Sequence, residues 1–374
     1  MVNYFYLVFC FVLSLGFSLL LTPFMMKLAL KKGVLSKPNR RRVHKKPIPY
    51  LGGLGIYLSF FITLFVIYLV DYNFSSKFSF KLIGFFGACT GIVLLGLWDD
   101  LKDISPLIKL FGQLIFAVVL YFYGFKIELL THPFSGREIQ LPLSLSFILT
   151  IFWFLGLTNA MNLIDGLDGL ASGITVIVCG ALSFIALYLK NYLNMFLLLT
   201  LAGSCLGFLR FNFYPAQIFM GDAGSMFLGF VLASASLVGP QYKSATAVVL
   251  LTPLVALTVP IYDTFMAIVR RLTKKHSIFR ADRKHLHHRL LDMGLTQKQI
   301  VLFIYLVTLY LGIFAFLFIL IPNQYAVILL VLLALGLFMG MVVLGFIERR
   351  MRYLEKLELR RKRKLHLGQY RFDK

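Results

Sequence analysis

The 374-residue chain is 59% hydrophobic and only 14% charged, yet it carries a net charge of +22. Soluble globular chains contain roughly 25% charged residues, so a water-soluble fold is excluded for a chain of this length. Its apolar runs are continuous rather than alternating, which argues against a β-barrel. Because lipid cannot hydrogen-bond a backbone, the sequence predicts an all-α, polytopic membrane protein.

Apolar stretches of about 20 residues, the length that crosses a bilayer core, recur along almost the whole chain. Eleven spans are predicted, at 4–26, 51–70, 80–98, 107–124, 143–158, 171–189, 193–209, 223–239, 244–269, 299–321 and 325–347. Several of them are short or interrupted, so ten spans remain an alternative. Residues 1–347 are expected to form one domain, followed by a basic tail at 348–374.

The basic residues are concentrated on alternate loops of this predicted topology. Of the 38 Lys and Arg residues, 32 fall in the segments 27–46 and 270–298, in the tail, or at three further positions on the same face. This asymmetry predicts an outside N-terminus and a cytoplasmic C-terminus, and it favours eleven spans over ten. It also accounts for the net positive charge without nucleic-acid binding. The basic tail is expected to lie on the anionic inner surface of the membrane or, alternatively, to be a solvated basic segment.

The polar loops on this face lie near 27–50, 99–109, 159–170, 210–225 and 270–298. The second of them carries adjacent carboxylates, Asp99 and Asp100, followed by Lys109. Adjacent carboxylates repel each other, and a proton or a cation such as Mg²⁺ relieves that repulsion. The plainer alternative is that the pair only ends a helix at the membrane interface.

Polar residues recur at every third position after the fifth span, namely Asn159, Asn162, Asp165 and Asp168. On a helix they would form a slanting polar row, whereas Gly166 and Gly169 favour a turn with exposed N–H groups. Either form offers carboxylates and amides to a polar ligand. A lipid-facing segment would not tolerate this density of polar groups.

The loop after the seventh span places Asp222 between small residues, just before an apolar helix. Small neighbours allow a phosphate or a metal ion to approach the backbone, and a helix N-terminus favours an anion. Asp222 could instead serve only as the helix N-cap.

The loop after the ninth span is rich in histidine and in basic residues. Its histidines are His276, His285, His287 and His288. Zinc requires three or four convergent ligands, but five arginines and four lysines surround these side chains and favour an anion instead. Sugar-phosphate or diphosphate recognition therefore suits this loop better than a metal, with a merely basic inner loop as the alternative.

Five motifs occur in order, HKKPIPYLGG, WDDLKD, NAMNLIDGLDGLA, FNFYPAQIFMGDAGS and HLHHR. Together they resemble the polyprenyl-phosphate N-acetylhexosamine-1-phosphate transferases, over roughly residues 40 to 290. One branch of that family transfers phospho-MurNAc-pentapeptide, and the other transfers phospho-GlcNAc. The peptidoglycan branch typically has a lysine where this chain has Asp103, and a triple-histidine motif where this chain has His285-Leu286-His287-His288-Arg289, so the chain is more similar to the GlcNAc-1-phosphate branch.

The resemblance implies a reaction of UDP-GlcNAc with undecaprenyl phosphate in the bacterial cytoplasmic membrane, with Mg²⁺ or alternatively Mn²⁺ as cofactor. It implies that Asp222 is the principal metal ligand, with Asp99 and Asp100 as catalytic or metal-binding carboxylates. The remaining roles are nucleotide binding by Asn162, Asp165, Asp168, Asn212 and Phe219, sugar and diphosphate binding by His285, His287, His288 and Arg289, and lipid-phosphate binding by Lys46 and Lys109.

Two competing hypotheses remain. A peptidoglycan-type pentapeptide transferase would use the same chemistry on a larger donor. A transporter would need carboxylates in the middle of its spans, whereas only Asp263 lies well inside a predicted span. The partners expected are UDP-GlcNAc, undecaprenyl phosphate and the lipid bilayer, without nucleic acid, and a homodimer is left open.

Overall fold

The computed structural model describes residues 4–36, 47–131, 138–237, 290–291, 294–321, 325, 328–340, 342–343 and 350. The helices in this part of the chain are α1 (Tyr4–Lys32), α2 (Gly52–Val70), α3 (Tyr72–Lys102), α4 (Pro106–Phe122), α5 (Leu143–Ile164), α6 (Leu170–Tyr188), α7 (Tyr192–Asn212), α8 (Gly221–Leu237), α9 (Gln297–Leu320) and α10 (Ile328–Gly340). Two short antiparallel pairs join them, β1 (Leu35–Ser36) with β2 (Ile48–Pro49) and β3 (Leu129–Thr131) with β4 (Glu138–Gln140).

Seven of these helices are long and apolar enough to cross a membrane, namely α1, α2, α3, α5, α6, α7 and α9. The helices α4, α8 and α10 are apolar but shorter. The prediction of a helical, multi-pass membrane protein is therefore confirmed for the described residues. The predicted span at 244–269 lies outside them, and α3 extends beyond both ends of its predicted span at 80–98.

Local sequence explains where two of the helices begin. Ser105 caps α4 by accepting a hydrogen bond from the backbone N–H of Ile108 at 3.4 Å, and Pro106 occupies the first helical turn. Thr296 and Gln299 form a capping box at the start of α9. These caps satisfy backbone groups that would otherwise lack partners at the helix ends.

Helix α8 is the centre of the bundle, packed among α2, α3 and α5. Every residue of α8 is buried except Asp222, which is only partly covered. Close packing depends on glycines, because a Cβ at Gly96 of α3 or at Gly53 of α2 would collide with the first turn of α8. Small residues at helix contacts are typical of membrane bundles, and here they bring α2 and α3 close to the first turn of α8, which carries Asp222.

Candidate active site

Asp100, near the C-terminal end of α3, fixes the start of α8. Its Oδ1 accepts the backbone N–H of Asp222 at 2.7 Å, and its Oδ2 accepts that of Ala223 at 3.1 Å. The preceding residue, Gly221, has a φ of +70°, and a Cβ there would collide with the Asp100 carboxylate. Asp100 thus caps α8 from a neighbouring helix, which places the Asp222 side chain beside the end of α3.

Lys109 of α4 joins two carboxylates that come from different helices. Its Nζ donates a hydrogen bond to Asp99 Oδ2 at 2.6 Å and another to Asp222 Oδ2. The side chains of the three residues are between 11% and 21% exposed, so the charges are shielded but still reachable from solvent. An ammonium group has three N–H donors, and one of them remains for a further acceptor.

Two polar atoms beside this ion pair are buried and lack hydrogen-bond partners. They are Oδ1 of Asp99 and Nδ2 of Asn162. Asn162 lies close enough to Asp222 to influence that carboxylate, although its Nδ2 makes no hydrogen bond of normal geometry. Unpaired polar atoms are costly in a protein interior, so their clustering here indicates a place where a polar ligand binds.

Asp165 follows the last residue of α5 and lies near the carboxylates of Asp100 and Asp222. Its burial, together with the nearby carboxylates of Asp222, Asp100 and Asp168, raises the pKa of Asp165 well above its usual range. Burial and neighbouring negative charge both favour the protonated form of a carboxyl group. We refer to Asp99, Asp100, Lys109 and Asp222 as the charged centre, which Asp165 adjoins.

The turn after Asp165 is held against the segment that precedes α8. Asp168 Oδ2 accepts the backbone N–H of Ala216 at 2.9 Å. Asn212, which is buried, accepts the N–H of Gly169 at 3.1 Å and donates to the carbonyl of Ile218 at 2.9 Å. We call this unit, residues 165–172 with 212–219, the Gly169 corner.

The sequence left open whether the polar row after the fifth span is a helix or a turn. Both occur, because Asn159 and Asn162 belong to α5, whereas Asp165 and Asp168 lie in the turn that follows. The change of conformation separates the residues: Asn162 and Asp165 adjoin the charged centre, and Asp168 fastens the Gly169 corner.

The segment before α2 is bound to the other end of the Gly169 corner. Phe219 donates its backbone N–H to the carbonyl of Pro49, and its own carbonyl accepts from Gly52, both at 2.9 Å. Its ring lies edge-on to that of Tyr50, with centroids 6.4 Å apart. Phe219 is partly exposed. That its ring stacks on the uracil base of the nucleotide stays a prediction.

The charged centre has the composition expected of a magnesium site. Mg²⁺ usually binds one or two protein carboxylates and takes its other oxygens from water and phosphates. Asp222 and Asp99 already share one cation, the Lys109 ammonium, and Asp99 retains an unpaired oxygen. Among the described residues, no three His, Cys, Asp or Glu side chains converge closely enough to hold a metal ion by themselves.

The structure therefore brings together most of the predicted site residues. Asp99, Asp100, Lys109, Asn162, Asp165 and Asp222 form one group, and Asp168, Asn212 and Phe219 form the adjoining one. The remaining predicted residues, Lys46, His285, His287, His288 and Arg289, lie outside the described part of the chain.

Two residues of this region were not predicted from the sequence. Gln113 of α4 is buried and accepts a hydrogen bond from Asn159 at 2.7 Å. Tyr305 of α9 donates a hydrogen bond to the carbonyl of Gly169. Gln113 could have been predicted from the sequence, because it follows Lys109 by one helical turn and so lies on the same face of α4. Nothing in the local sequence around Tyr305 indicates its contact with Gly169.

The fold and the site define a multi-pass membrane protein with a charged centre at one end of its helices. Residues 82–240 match the family model described as glycosyl transferase family 4. The chain is 38% identical over 301 residues to the probable undecaprenyl-phosphate N-acetylglucosaminyl 1-phosphate transferase of Bacillus subtilis, covering 80% of this chain and 82% of that protein.

Other relatives fall in two groups. The decaprenyl-phosphate N-acetylglucosaminephosphotransferase of Mycobacterium leprae is 37% identical over 77% of each chain. The phospho-N-acetylmuramoyl-pentapeptide-transferase of Bacillus anthracis is 32% identical over 62% of this chain and 73% of that protein. The chain belongs to glycosyl transferase family 4, as the resemblance noted from its motifs indicates.

Proposed function

We propose that this protein transfers GlcNAc-1-phosphate from UDP-GlcNAc to undecaprenyl phosphate, giving undecaprenyl-diphospho-GlcNAc and UMP. The observation that carries the proposal is the ion pair of Lys109 with Asp99 and Asp222, three side chains from three helices that meet at the helix ends. Such an arrangement suits a reaction between two phosphates, one from solvent and one carried by a membrane lipid. The names of the relatives in Bacillus and Mycobacterium support the same chemistry.

The reaction requires one bond to form and one to break. An oxygen of the lipid phosphate attacks the β-phosphorus of UDP-GlcNAc, and the bond from that phosphorus to the UMP oxygen breaks, with its electron pair leaving on UMP. Asp99 is suited to receive a proton from the lipid phosphate, because its Oδ1 has no other partner. The third N–H of Lys109 can donate to a phosphate oxygen, which stabilises charge as it develops.

Asp222 is the residue that would principally hold Mg²⁺, and the Asn162 side chain lies beside it. When bound, the ion would supply positive charge to the diphosphate and its UMP leaving group. Asp100 would contribute by holding the first turn of α8, which fixes the direction of the Asp222 carboxylate. Asp165 would be drawn to its ionised form by the added positive charge.

The protein would lie in the bacterial cytoplasmic membrane with eleven spans, its N-terminus outside and its C-terminus in the cytoplasm. The distribution of basic residues supports this orientation, and UDP-GlcNAc would then reach the charged centre from the cytoplasm. Cysteine substitutions at Lys37 and Lys364 test it. Neither should react with an impermeant reagent outside intact cells, and reaction at either position would contradict the orientation.

The donor is proposed to be UDP-GlcNAc rather than UDP-MurNAc-pentapeptide. Asp103 and the His-Leu-His-His-Arg sequence at 285–289 support this choice, as does the greater coverage of the GlcNAc-type relatives. In purified protein with Mg²⁺ and undecaprenyl phosphate, UDP-GlcNAc should release UMP and the pentapeptide donor should not. A comparable kcat/KM with the pentapeptide donor would show that the other branch is correct.

The transporter hypothesis has no support in the described residues. Asp99 lies in the last turn of α3, Asp165 follows α5, and Asp222 is the second residue of α8. A proton or ion relay would need such acids at mid-span. Release of UMP that requires the lipid phosphate separates the two hypotheses directly, because a transporter would release none.

A further inference from the structure

The peptide backbone at Gly169 is held from two sides. Its N–H donates to Asn212 of α7 at 3.1 Å, and its carbonyl accepts the hydroxyl of Tyr305 from α9. Ser172 also donates to this carbonyl, at 3.2 Å. Gly169 has a φ of +79°, a backbone conformation that residues with a side chain rarely adopt. The hydrogen bonds therefore stabilise a turn that glycine adopts more easily than other residues.

Helix α6 has a gap that admits the Tyr305 ring. A Cβ added at Gly173, one turn after Gly169, would overlap the Tyr305 hydroxyl and ring. Gly173 is buried, and Tyr305 is partly buried against it. The absent side chain at Gly173 therefore allows α9 to reach the Gly169 corner.

We propose that Tyr305 is a positioning residue for nucleotide-sugar binding, which acts by fixing the Gly169 carbonyl and thereby the turn that carries Asp165 and Asp168. The inference rests on the proposed function, since it takes the Gly169 corner as the nucleotide site. Tyr305 acts through the backbone and is not expected to contact the reacting phosphates. The lipid phosphate, which the proposal places at Lys109, should be unaffected by it.

The position of Tyr305 in the chain gives this contact a second consequence. Helix α9 begins at Gln297, at the C-terminal end of the basic segment 270–298 that is predicted to bind the sugar and diphosphate. Tyr305 lies about two turns into α9, so it attaches the beginning of this helix to the Gly169 corner.

The test is Tyr305→Phe, which removes only the hydroxyl. We expect KM for UDP-GlcNAc and Kd for UMP to rise about five- to tenfold, the range of one lost hydrogen bond of ordinary strength. The kcat and the KM for undecaprenyl phosphate should stay within about twofold of wild type, because the charged centre is untouched. An equal loss for both substrates, or no change in UMP binding, would overturn the proposal.

Tyr310→Phe is a matched control. Tyr310 is also a partly buried tyrosine of α9 that donates to a backbone carbonyl, that of Leu332 at 3.2 Å, away from the Gly169 corner. It should leave UMP binding and both KM values unchanged. If Tyr310→Phe weakens UMP binding as much as Tyr305→Phe does, the effect is a general one of α9 and the proposal fails.

Gly173→Ala gives an independent route to the same contact. Its Cβ should push the Tyr305 hydroxyl from Gly169, so it should raise the Kd for UMP as well. In the double variant with Tyr305→Phe the two effects should combine to less than their product, since both remove one hydrogen bond. Full multiplication would show that the two residues act independently and would overturn the proposal.

The experiment separates failure of the inference from failure of the proposed function. If the wild-type protein releases no UMP from UDP-GlcNAc in the presence of undecaprenyl phosphate, the proposed function is wrong. If the wild-type protein is active but Tyr305→Phe binds UMP normally in its folded fraction, only the inference is wrong. Equilibrium binding of UMP to detergent-solubilised protein supplies the second measurement without turnover.

Discussion

The charged centre and the Gly169 corner adjoin each other but are stabilised in different ways. In the charged centre one lysine forms ion pairs with two carboxylates, and an oxygen of Asp99 is buried without a partner. In the Gly169 corner the backbone N–H of Gly169 and its carbonyl both have partners, as do both ends of the Asn212 amide. One region has unbalanced charge and the other has satisfied hydrogen bonds.

This difference indicates how the two regions contribute. A group of carboxylates with too few cations is held in a high-energy arrangement that an incoming metal ion and phosphates can relieve. A backbone turn whose central N–H and carbonyl are both paired favours one shape whether or not a ligand is present. Substitutions in the charged centre should therefore reduce kcat, whereas those in the Gly169 corner should reduce affinity for the nucleotide.

The largest effect is expected for Asp222→Asn. The substitution keeps the size of the side chain but removes the charge that we propose holds Mg²⁺. We expect kcat to fall by about 100-fold or more, equivalent to about 3 kcal/mol of transition-state stabilisation. UMP release assayed over a range of Mg²⁺ concentrations measures both the rate and the metal dependence.

The fold should survive this substitution, because a neutral amide at a partly exposed position is cheaper to bury than a charge. An unchanged melting temperature in detergent serves as the control. Turnover near the wild-type rate with the same Mg²⁺ dependence would show that Asp222 is not the principal ligand. Asp99 and Asp100 would then become the leading metal ligands.

Asp99→Asn should also abolish most activity, by about 100-fold, because the variant cannot accept a proton from the lipid phosphate. It should still bind UDP-GlcNAc with Mg²⁺, since Asp222 and the Gly169 corner remain. Calorimetric titration of the folded variant with UDP-GlcNAc in Mg²⁺ provides the measurement. A loss of donor binding as large as the loss of rate would assign Asp99 to the metal instead of the lipid phosphate.

A smaller effect on rate, with the opposite effect on metal affinity, is expected for Lys109→Met. Without the ammonium group, Asp99 and Asp222 repel each other and should bind a divalent cation more tightly. The kcat/KM should nevertheless fall by about 10- to 100-fold, because a donor to the phosphates is lost. Titration with Mn²⁺, followed by its electron paramagnetic resonance signal, measures the affinity.

The result of this titration distinguishes two roles for the lysine. Tighter Mn²⁺ binding with lower activity would support a lysine that both holds the carboxylates and contacts a phosphate. Weaker Mn²⁺ binding would mean that Lys109 organises the metal ligands, and the predicted phosphate contact would then lack support. Lys102→Met is the control, because Lys102 is exposed at the end of α3.

Most of the charged centre could be predicted from the sequence because its residues stand out locally. Asp99 with Asp100, and Asp222 between small residues, are polar groups at the ends of apolar runs, where they are unusual. The pattern did not reveal that Asp100 would cap α8, because a cap supplied by another helix leaves no local trace. For the same reason the structure was needed to show that Lys109 bridges two carboxylates.

The contacts of the Gly169 corner were harder to predict. Tyr305 lies 136 residues from Gly169 in an apolar helix, where a tyrosine is unremarkable. Its role depends on the packing of α9 against α6, and that packing depends on the missing side chain of Gly173. Predicted spans give the number and length of the helices but do not determine which of them are neighbours.

The smallest effect is expected for Gly221→Ala, which tests whether the charged centre also depends on its backbone. Gly221 has a φ of +70°, and its Cβ would meet the Asp100 carboxylate. Alanine at a positive φ typically costs about 1 kcal/mol or more, so we expect the melting temperature to fall by a few degrees. The kcat should fall only several-fold, because Asp222 keeps its charge and shifts only slightly.

Gly87→Ala of α3 is the control, since a Cβ there meets nothing within 4 Å, and it should not lower stability. If Gly221→Ala leaves both stability and kcat at the wild-type level, the Asp100 cap adapts to the added methyl group, and the geometry of the charged centre is set by its ion pairs alone.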